Sequence, residues 1–192
     1  MPAKMTALSG FLAVSIMAAL AVPDRAGAAM ADDSAVLAAR AEVHGADCNL
    51  KPNADPGLAI ERYKLRYKTL IQVPCRYTIN SVESVFFTED SGGLHPLFFA
   101  TAGVAYRHDN NGRIDWARAR IDGFTAVGEL SDASIDTKAG VIHSNIRLAP
   151  GEADGAILSV YRLADAALIR VEIDITGKKA PVRIFAWPAE KR

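Results

Sequence analysis

The sequence has few cysteines and no excess of charge of either sign. Its 192 residues include two cysteines, and lysine plus arginine balance aspartate plus glutamate at 22 each. A neutral molecule has no long-range field that would attract nucleic acid, so we expect no nucleic-acid partner. Hydrophobic residues make up 50% of the chain and charged residues 23%, which is typical of a globular protein with one domain.

The sequence also lacks the short motifs of common enzyme and cofactor sites. Gly-rich phosphate-binding loops and the G-x-S-x-G nucleophile turn are absent. The four histidines show no i,i+4 or H-x-H spacing that would predict a zinc site; they are His44, His95, His108 and His143. We therefore predict no cofactor and no metal site, and we assign no catalytic residue.

The N-terminal segment has the pattern of a cleaved export signal. Lys4 supplies positive charge, residues 7–22 are mostly apolar, and two successive A-x-A sites, AGA and AMA, lie within residues 26–31. The apolar run is shorter than the ~20 residues that span a bilayer. We predict a signal peptide over residues 1–31, with either A-x-A site as the cleavage site. The remaining domain, residues 32–192, is expected to be periplasmic or secreted, with no membrane span after cleavage.

Export bears on the two cysteines, because cysteine pairs outside the cytosol are usually oxidised. Residues 71–79 alternate between apolar and polar side chains, which places Cys75 on the buried face of a strand. A catalytic thiolate needs a nearby cation and access for substrate, and burial works against both. We predict a structural disulfide between Cys48 and Cys75 that stabilises the fold by roughly 3 to 4 kcal/mol. The alternative is a Cys75 nucleophile served by a distant histidine.

The hydrophobic periodicity predicts one short helix followed by strands. Residues 33–43 are helix formers, with Asp33 or Ser34 as the predicted N-cap and Gly45 just beyond. From about residue 60 the period changes to two, and turn residues separate the apolar runs. Pro74 predicts that its strand lies at a sheet edge or ends there. The fold class is therefore mainly β: an antiparallel sandwich, open barrel or meander with one short N-terminal helix.

The predicted strands and turns follow one another closely. A strand is expected over residues 61–68, hairpins are expected around residues 91–93 and 109–112, and a three-stranded meander is expected over residues 157–187.

The two cysteine segments also carry a resemblance to a known family. Asp47-Cys48-Asn49 and Pro74-Cys75-Arg76-Tyr77 are similar in type and separation to elements of the exported bacterial proteins of domain-of-unknown-function family 1176. Thr78-Ile79-Asn80-Ser81 stands where that family has Gly-Ala-Tyr-Asn, so the chain is interpreted as a divergent member. The resemblance implies an exported β-rich domain stapled near its start, and it implies no activity.

Basic residues recur in the predicted strand over residues 61–68. Four of them alternate with apolar side chains, and one more follows on the next strand; together they are Arg62, Lys64, Arg66, Lys68 and Arg76. This row is a candidate surface for an anionic ligand. The alternative is that these cations protect a strand edge or pair with acidic neighbours.

These observations favour a non-catalytic binding or structural module of the bacterial cell envelope. Its expected partner is an envelope glycan, a lipid headgroup or a protein. A hydrolase whose residues meet only in three dimensions stays open as an alternative, with His108, Asp109 and a serine, or Glu83 with Glu172, as its nameable residues. Another alternative is an inhibitor of cell-wall-degrading enzymes that acts through an exposed loop such as residues 89–95.

Overall fold

The computed structural model describes residues 30–52, 54, 58–78, 81–111, 114–147, 155–175 and 179–187. The predicted signal segment before residue 30 lies outside the described residues. No helix among those described is long and apolar enough to cross a membrane.

The predicted helix is present as α1, Asp33–His44. Its N-cap is Asp32, not Asp33 or Ser34, because the Asp32 carboxylate accepts a hydrogen bond from the Ala35 N–H at 2.9 Å. Gly45 follows the helix in the left-handed region, with φ 56°, and a short 3₁₀ turn over Gly45–Asp47 leads to Cys48.

The described residues form twelve strands. In chain order they are β1 (Glu61–Lys64), β2 (Thr69–Tyr77), β3 (Val82–Asp90), β4 (Gly93–Leu97), β5 (Phe99–His108), β6 (Ile114–Val127), β7 (Glu129–Ser131), β8 (Ser134–Asp136), β9 (Val141–Arg147), β10 (Gly155–Arg162), β11 (Leu168–Ile175) and β12 (Val182–Ala186).

The strands pair antiparallel in three sheets. The first has the order β1-β2-β3-β4, and β7 also pairs with β3. The second is the β5-β6 hairpin, and the third has the order β12-β11-β10-β9-β8. The mainly β prediction with one short helix is confirmed, as are the β3-β4 and β5-β6 hairpins and the C-terminal meander.

The first sheet separates two apolar clusters. Phe86 and Leu70 lie on the face that packs against the other two sheets, together with Phe99 and Tyr161. Neighbouring residues such as Phe87 point to the opposite face, because side chains alternate along a strand. This second cluster contains both cysteines and Val36 of α1. The sheet is thus covered by the helix on one side and by strands on the other.

Two expectations about β1 and β2 need correction. The strand predicted over residues 61–68 ends at Lys64, because the Leu65 N–H donates to the Lys68 carbonyl at 2.8 Å and turns the chain. Strand β2 does not end at Pro74 but continues to Tyr77, and it does not lie at the sheet edge, because it pairs with both β1 and β3. Pro74 is tolerated because β1 pairs with β2 only as far as Gln72, and a bulge follows between Pro74 and Arg76.

Candidate functional site

The disulfide predicted from the sequence is present. Cys48 and Cys75 are joined with their Cα atoms 4.2 Å apart, and both are buried. The Leu50 N–H donates to the Cys75 carbonyl at 2.9 Å, so the segment after Cys48 is also tied to β2 by its backbone. With its sulfur bonded and fully buried, Cys75 is not a nucleophile in this structure.

Two carboxylates meet beside this disulfide, at the border of the helix-covered face. Strand pairing places Glu83 of β3 opposite Arg76 of β2, and Glu129 of β7 opposite Val85 of β3. Arg76 joins them: its Nε lies 2.5 Å from Glu83 Oε2, and its Nη2 lies 2.9 Å from Glu129 Oε2. Ser131 Oγ donates to Glu83 Oε1 at 3.5 Å. We call Arg76, Glu83 and Glu129 the carboxylate pair with its arginine.

The two carboxylates have different affinities for a proton. Burial, together with the hydrogen bond to Glu83, raises the pKa of Glu129 from 4.5 to about 7. Burial acts to raise the pKa of Glu83 too, but hydrogen bonds from Glu129 and Arg76 hold it below its ordinary value. The two carboxylates therefore titrate as a unit, and the proton that they share is favoured on Glu129.

His44, the last residue of α1, covers the same site without adding positive charge. Its side chain is only 9% exposed, and its Nδ1 lies 4.0 Å from Glu129 Oε1. Burial, and then the nearby Arg40 guanidinium, lower the pKa of His44, which favours the neutral imidazole. The ring lies so close to Gly128 that a Cβ there would approach His44 Cε1 at 2.6 Å. Glycine at 128 thus lets the helix end reach the sheet.

A metal site does not follow from these neighbours. Donor atoms of His44, Cys48 and Glu129 lie within 4.8 Å of one another. The Cys48 sulfur, however, is committed to the disulfide with Cys75. One imidazole and one carboxylate remain, which is fewer than the ligands of a structural or catalytic zinc centre.

The carboxylate pair with its arginine forms one wall of a cleft, which we call the β7 cleft. The cleft has a volume of about 370 Å³ and is lined by residues of β7 and of neighbouring strands. The hydroxyl-bearing residues Thr101, Ser131 and Ser144 line it, as do the apolar residues Val127 and Ile146. It thus combines charged, hydroxyl and apolar surface, as small-ligand sites do.

The structure spreads the predicted basic row over different environments. Arg62 lies on β1 but binds Asp33 of α1, with Nη2 to Oδ1 at 2.7 Å. Lys68 lies in the turn after β1, where its Nζ donates to the Ala164 carbonyl at 2.8 Å. Arg76 binds both Glu83 and Glu129. These three cations therefore have protein partners.

Lys64 and Arg66 are the exposed members of that row. The Arg66 guanidinium lies 4.9 Å from the ring centre of Tyr67, which is itself 79% exposed. Lys64 lines a second cleft of about 330 Å³ that also contains Glu89 and Asp90, so the surface around it has both signs of charge. The anionic-ligand surface stays a prediction, carried by Lys64 and Arg66.

The residues named for a hydrolase have other contacts. His108 packs edge-on against Tyr106, and Asp109 accepts a hydrogen bond from the Asn111 N–H at 2.8 Å within the hairpin turn. Glu172 lies in the third sheet between Arg170, at 3.5 Å, and Arg183, at 3.1 Å. Glu83 is instead paired with Glu129, a residue that sequence reasoning missed.

No local signal could have revealed Glu129. It is separated from Glu83 by the β4 strand and the long β5-β6 hairpin, and the two carboxylates meet only because β7 returns to pair with β3. Comparison with known proteins adds no relative, since no family model, curated protein or solved structure matches the chain.

Proposed function

We propose that the protein is an exported module of the bacterial cell envelope that binds a ligand without transforming it. The buried disulfide supports export, because such bridges persist outside the reducing cytosol. Membership in domain-of-unknown-function family 1176 is part of the same proposal, supported by the bridge that links the two segments carrying the resemblance. The β7 cleft is the proposed binding site, and a cationic group of an envelope molecule is the proposed target.

The observation that carries this proposal is the excess of carboxylates over cations on one wall of an open cleft. Glu83 and Glu129 share the single guanidinium of Arg76. Asp47 adds a further negative charge that acts on Glu129. The neutral imidazole of His44 does not compensate this negative charge. The site is therefore short of positive charge.

The pKa of Glu129 is raised first by burial and then by the hydrogen bond to Glu83, and the charges of Glu83 and Asp47 act in the same direction. A proton is one way to neutralise Glu129, and an ammonium group that enters the cleft is another. Binding of an amine should therefore displace the proton from Glu129. A charge-assisted hydrogen bond of this kind contributes about 1.5 to 3 kcal/mol. The hydroxyl and apolar surfaces of the cleft would contact the rest of the ligand.

One observation favours a hydrolase as the second candidate. Two carboxylates that share one proton are the arrangement by which acid proteases activate water. A glycosidase also uses two carboxyl groups, which stand about 5 Å or more apart. Arg76 also occupies one oxygen of each carboxylate, which limits their access to water.

The test is calorimetric titration with peptidoglycan fragments that carry a free amino group, with the N-acetylated fragments as the matched control. We expect the free amine to bind at least about tenfold more tightly, since the acetylated form loses the ammonium contact. Affinity should fall as the pH drops below about 7, because protons compete for Glu129.

Two variants sharpen this test. Glu129→Gln should remove the preference for the amine, and Glu42→Gln, which changes an exposed carboxylate on α1, should leave it intact. Equal binding of both fragments by the unmodified protein would refute the proposed site. Release of smaller fragments during incubation, lost in Glu129→Gln, would establish the hydrolase instead.

A further inference from the structure

The residues just before α1 are part of the folded domain. Both polar backbone atoms of Ala31 are engaged: its N–H donates to Glu89 Oε1 of β3, and its carbonyl accepts from Arg62 Nη2 of β1 at 3.2 Å. The Ala31 side chain packs against the cluster beneath α1. Ala31 thus connects the start of the helix to two strands of the first sheet.

The next residue, Asp32, caps the helix, and this role is disturbed if Asp32 is the first residue of the chain. Asp32 caps α1, with its carboxylate accepting from the Ala35 N–H at 2.9 Å and from Ser34 Oγ at 2.7 Å. A chain that began at Asp32 would place a free ammonium group at the N-terminus of the helix. The helix dipole makes a positive charge unfavourable there.

Removal of Ala31 would take a hydrogen-bond donor away from Glu89. Its Oε2 atom is buried and has no hydrogen-bond partner among the described residues. The Ala31 N–H is the partner of its other oxygen. A buried acceptor without a donor is costly, so removal of Ala31 would leave this carboxylate less satisfied than it is now.

We infer that signal peptidase cleaves after Ala28, at the first A-x-A site, so that the mature protein begins at Ala29. The second site would cut after Ala31 and remove the residue that contacts Glu89 and Arg62. The peptidase acts on the chain before it folds, so the fold does not direct the cut. The fold shows instead which cleavage product retains the contacts of Ala31. Of the two A-x-A sites, only the first gives that product. This inference rests on the proposed export.

The experiment uses the full precursor, residues 1–192, expressed in a Gram-negative bacterium. The mass of the intact periplasmic protein identifies its first residue, and we expect Ala29. A periplasmic protein that begins at Asp32 would overturn this inference and leave export standing. Uncleaved precursor in the cytoplasm would overturn both the inference and the export on which it rests.

Two matched substitutions separate the sites without relying on the folded state. Signal peptidase needs a small residue immediately before the cut. In pulse-labelled cells, Ala28→Phe should therefore block or displace processing, whereas Ala31→Phe should be cut at the same bond as the unmodified precursor. Normal processing of Ala28→Phe with accumulation of uncut Ala31→Phe would contradict the inference.

Discussion

The two faces of the first sheet are held in different ways. On the face toward the other sheets, Phe86, Phe99 and Tyr161 pack edge to face, with ring centres 5.3 and 5.0 Å apart. On the opposite face, Val36 is the one fully buried residue that α1 contributes. The helix is attached there largely by other means: the disulfide, and Arg40, whose Nη1 donates to the Pro74 carbonyl at 2.8 Å.

This difference explains where the candidate site lies. Twelve residues form a helix too short to be stable alone, so α1 needs its attachments to the sheet. Covalent and polar links, unlike a filled apolar layer, can leave room for charged groups beside them. The carboxylate pair with its arginine lies at this border, next to the disulfide and the end of α1.

The largest expected effects come from Phe86 and Phe87, adjacent residues of β3 that point to opposite faces. Both are buried, with exposures of 0% and 1%. Phe86→Ala should lower the free energy of unfolding by about 4 to 5 kcal/mol and Phe87→Ala by about 3 kcal/mol, because the first cavity opens in the larger cluster. Urea denaturation measures both. A greater loss for Phe87→Ala would reverse the comparison.

Removal of the disulfide should have an effect close to that of Phe87→Ala, and it should appear first on the helix-covered face. In Cys48→Ala/Cys75→Ala, the chain-entropy model predicts a loss of roughly 3 to 4 kcal/mol for a loop of this length. Hydrogen exchange should show lost protection in α1 before strands β10 and β11 are affected, since those strands belong to the other cluster. Uniform loss of protection across the molecule would show that the two faces unfold together.

Glu129 makes stability depend on pH. Its pKa is raised from 4.5 in the unfolded chain to about 7 in the fold, so the protonated carboxyl stabilises the native state below pH 4.5. This contribution is lost as the pH rises through about 7. Glu129→Gln should therefore gain stability relative to the unmodified protein between about pH 5 and about pH 8.

Urea denaturation across that pH range checks the sign. His44 has the opposite effect, because its pKa is lowered from 6.5 by burial, so its contribution to stability is lost as the pH falls below about 6.5. His44 is present in both proteins, so the difference between them reports the coupled pair Glu83 and Glu129. Glu42→Gln is the control and should give a curve parallel to that of the unmodified protein. A difference that does not change with pH would mean that Glu129 is ionised throughout.

The contrast between the faces also separates what the sequence could predict from what it could not. The alternation around Cys75 is a local pattern, and it predicted both the strand and the burial that accompany the disulfide. The meeting of Glu83 with Glu129 depends on the pairing of β7 with β3, which no local pattern specifies. Register and long-range pairing, not residue type, create the candidate site.

The early end of β1 has a different cause. Residues 61–68 alternate as a strand should, and no glycine, proline or asparagine marks the turn. The chain nevertheless reverses at Leu65–Lys68, closed by a backbone hydrogen bond. Alternation tells which side chains would share a face, but not where the strand stops. The predicted basic row is divided for this reason.

The smallest effect on stability is expected from the two exposed cations, which neither face needs. Lys64→Glu/Arg66→Glu should change the free energy of unfolding by less than about 0.5 kcal/mol, since both side chains reach into solvent. If the predicted anionic-ligand surface is real, the double variant should lose salt-sensitive binding to vesicles that contain anionic lipid, measured by co-sedimentation.

Arg118→Glu/Lys138→Glu makes the same change in net charge at exposed positions on other strands and turns, and it should bind as the unmodified protein does. Arg62 is left unchanged because it holds Asp33 and Ala31. Equal loss in both double variants would attribute binding to net charge alone, and no loss in either would exclude Lys64 and Arg66 as a recognition surface.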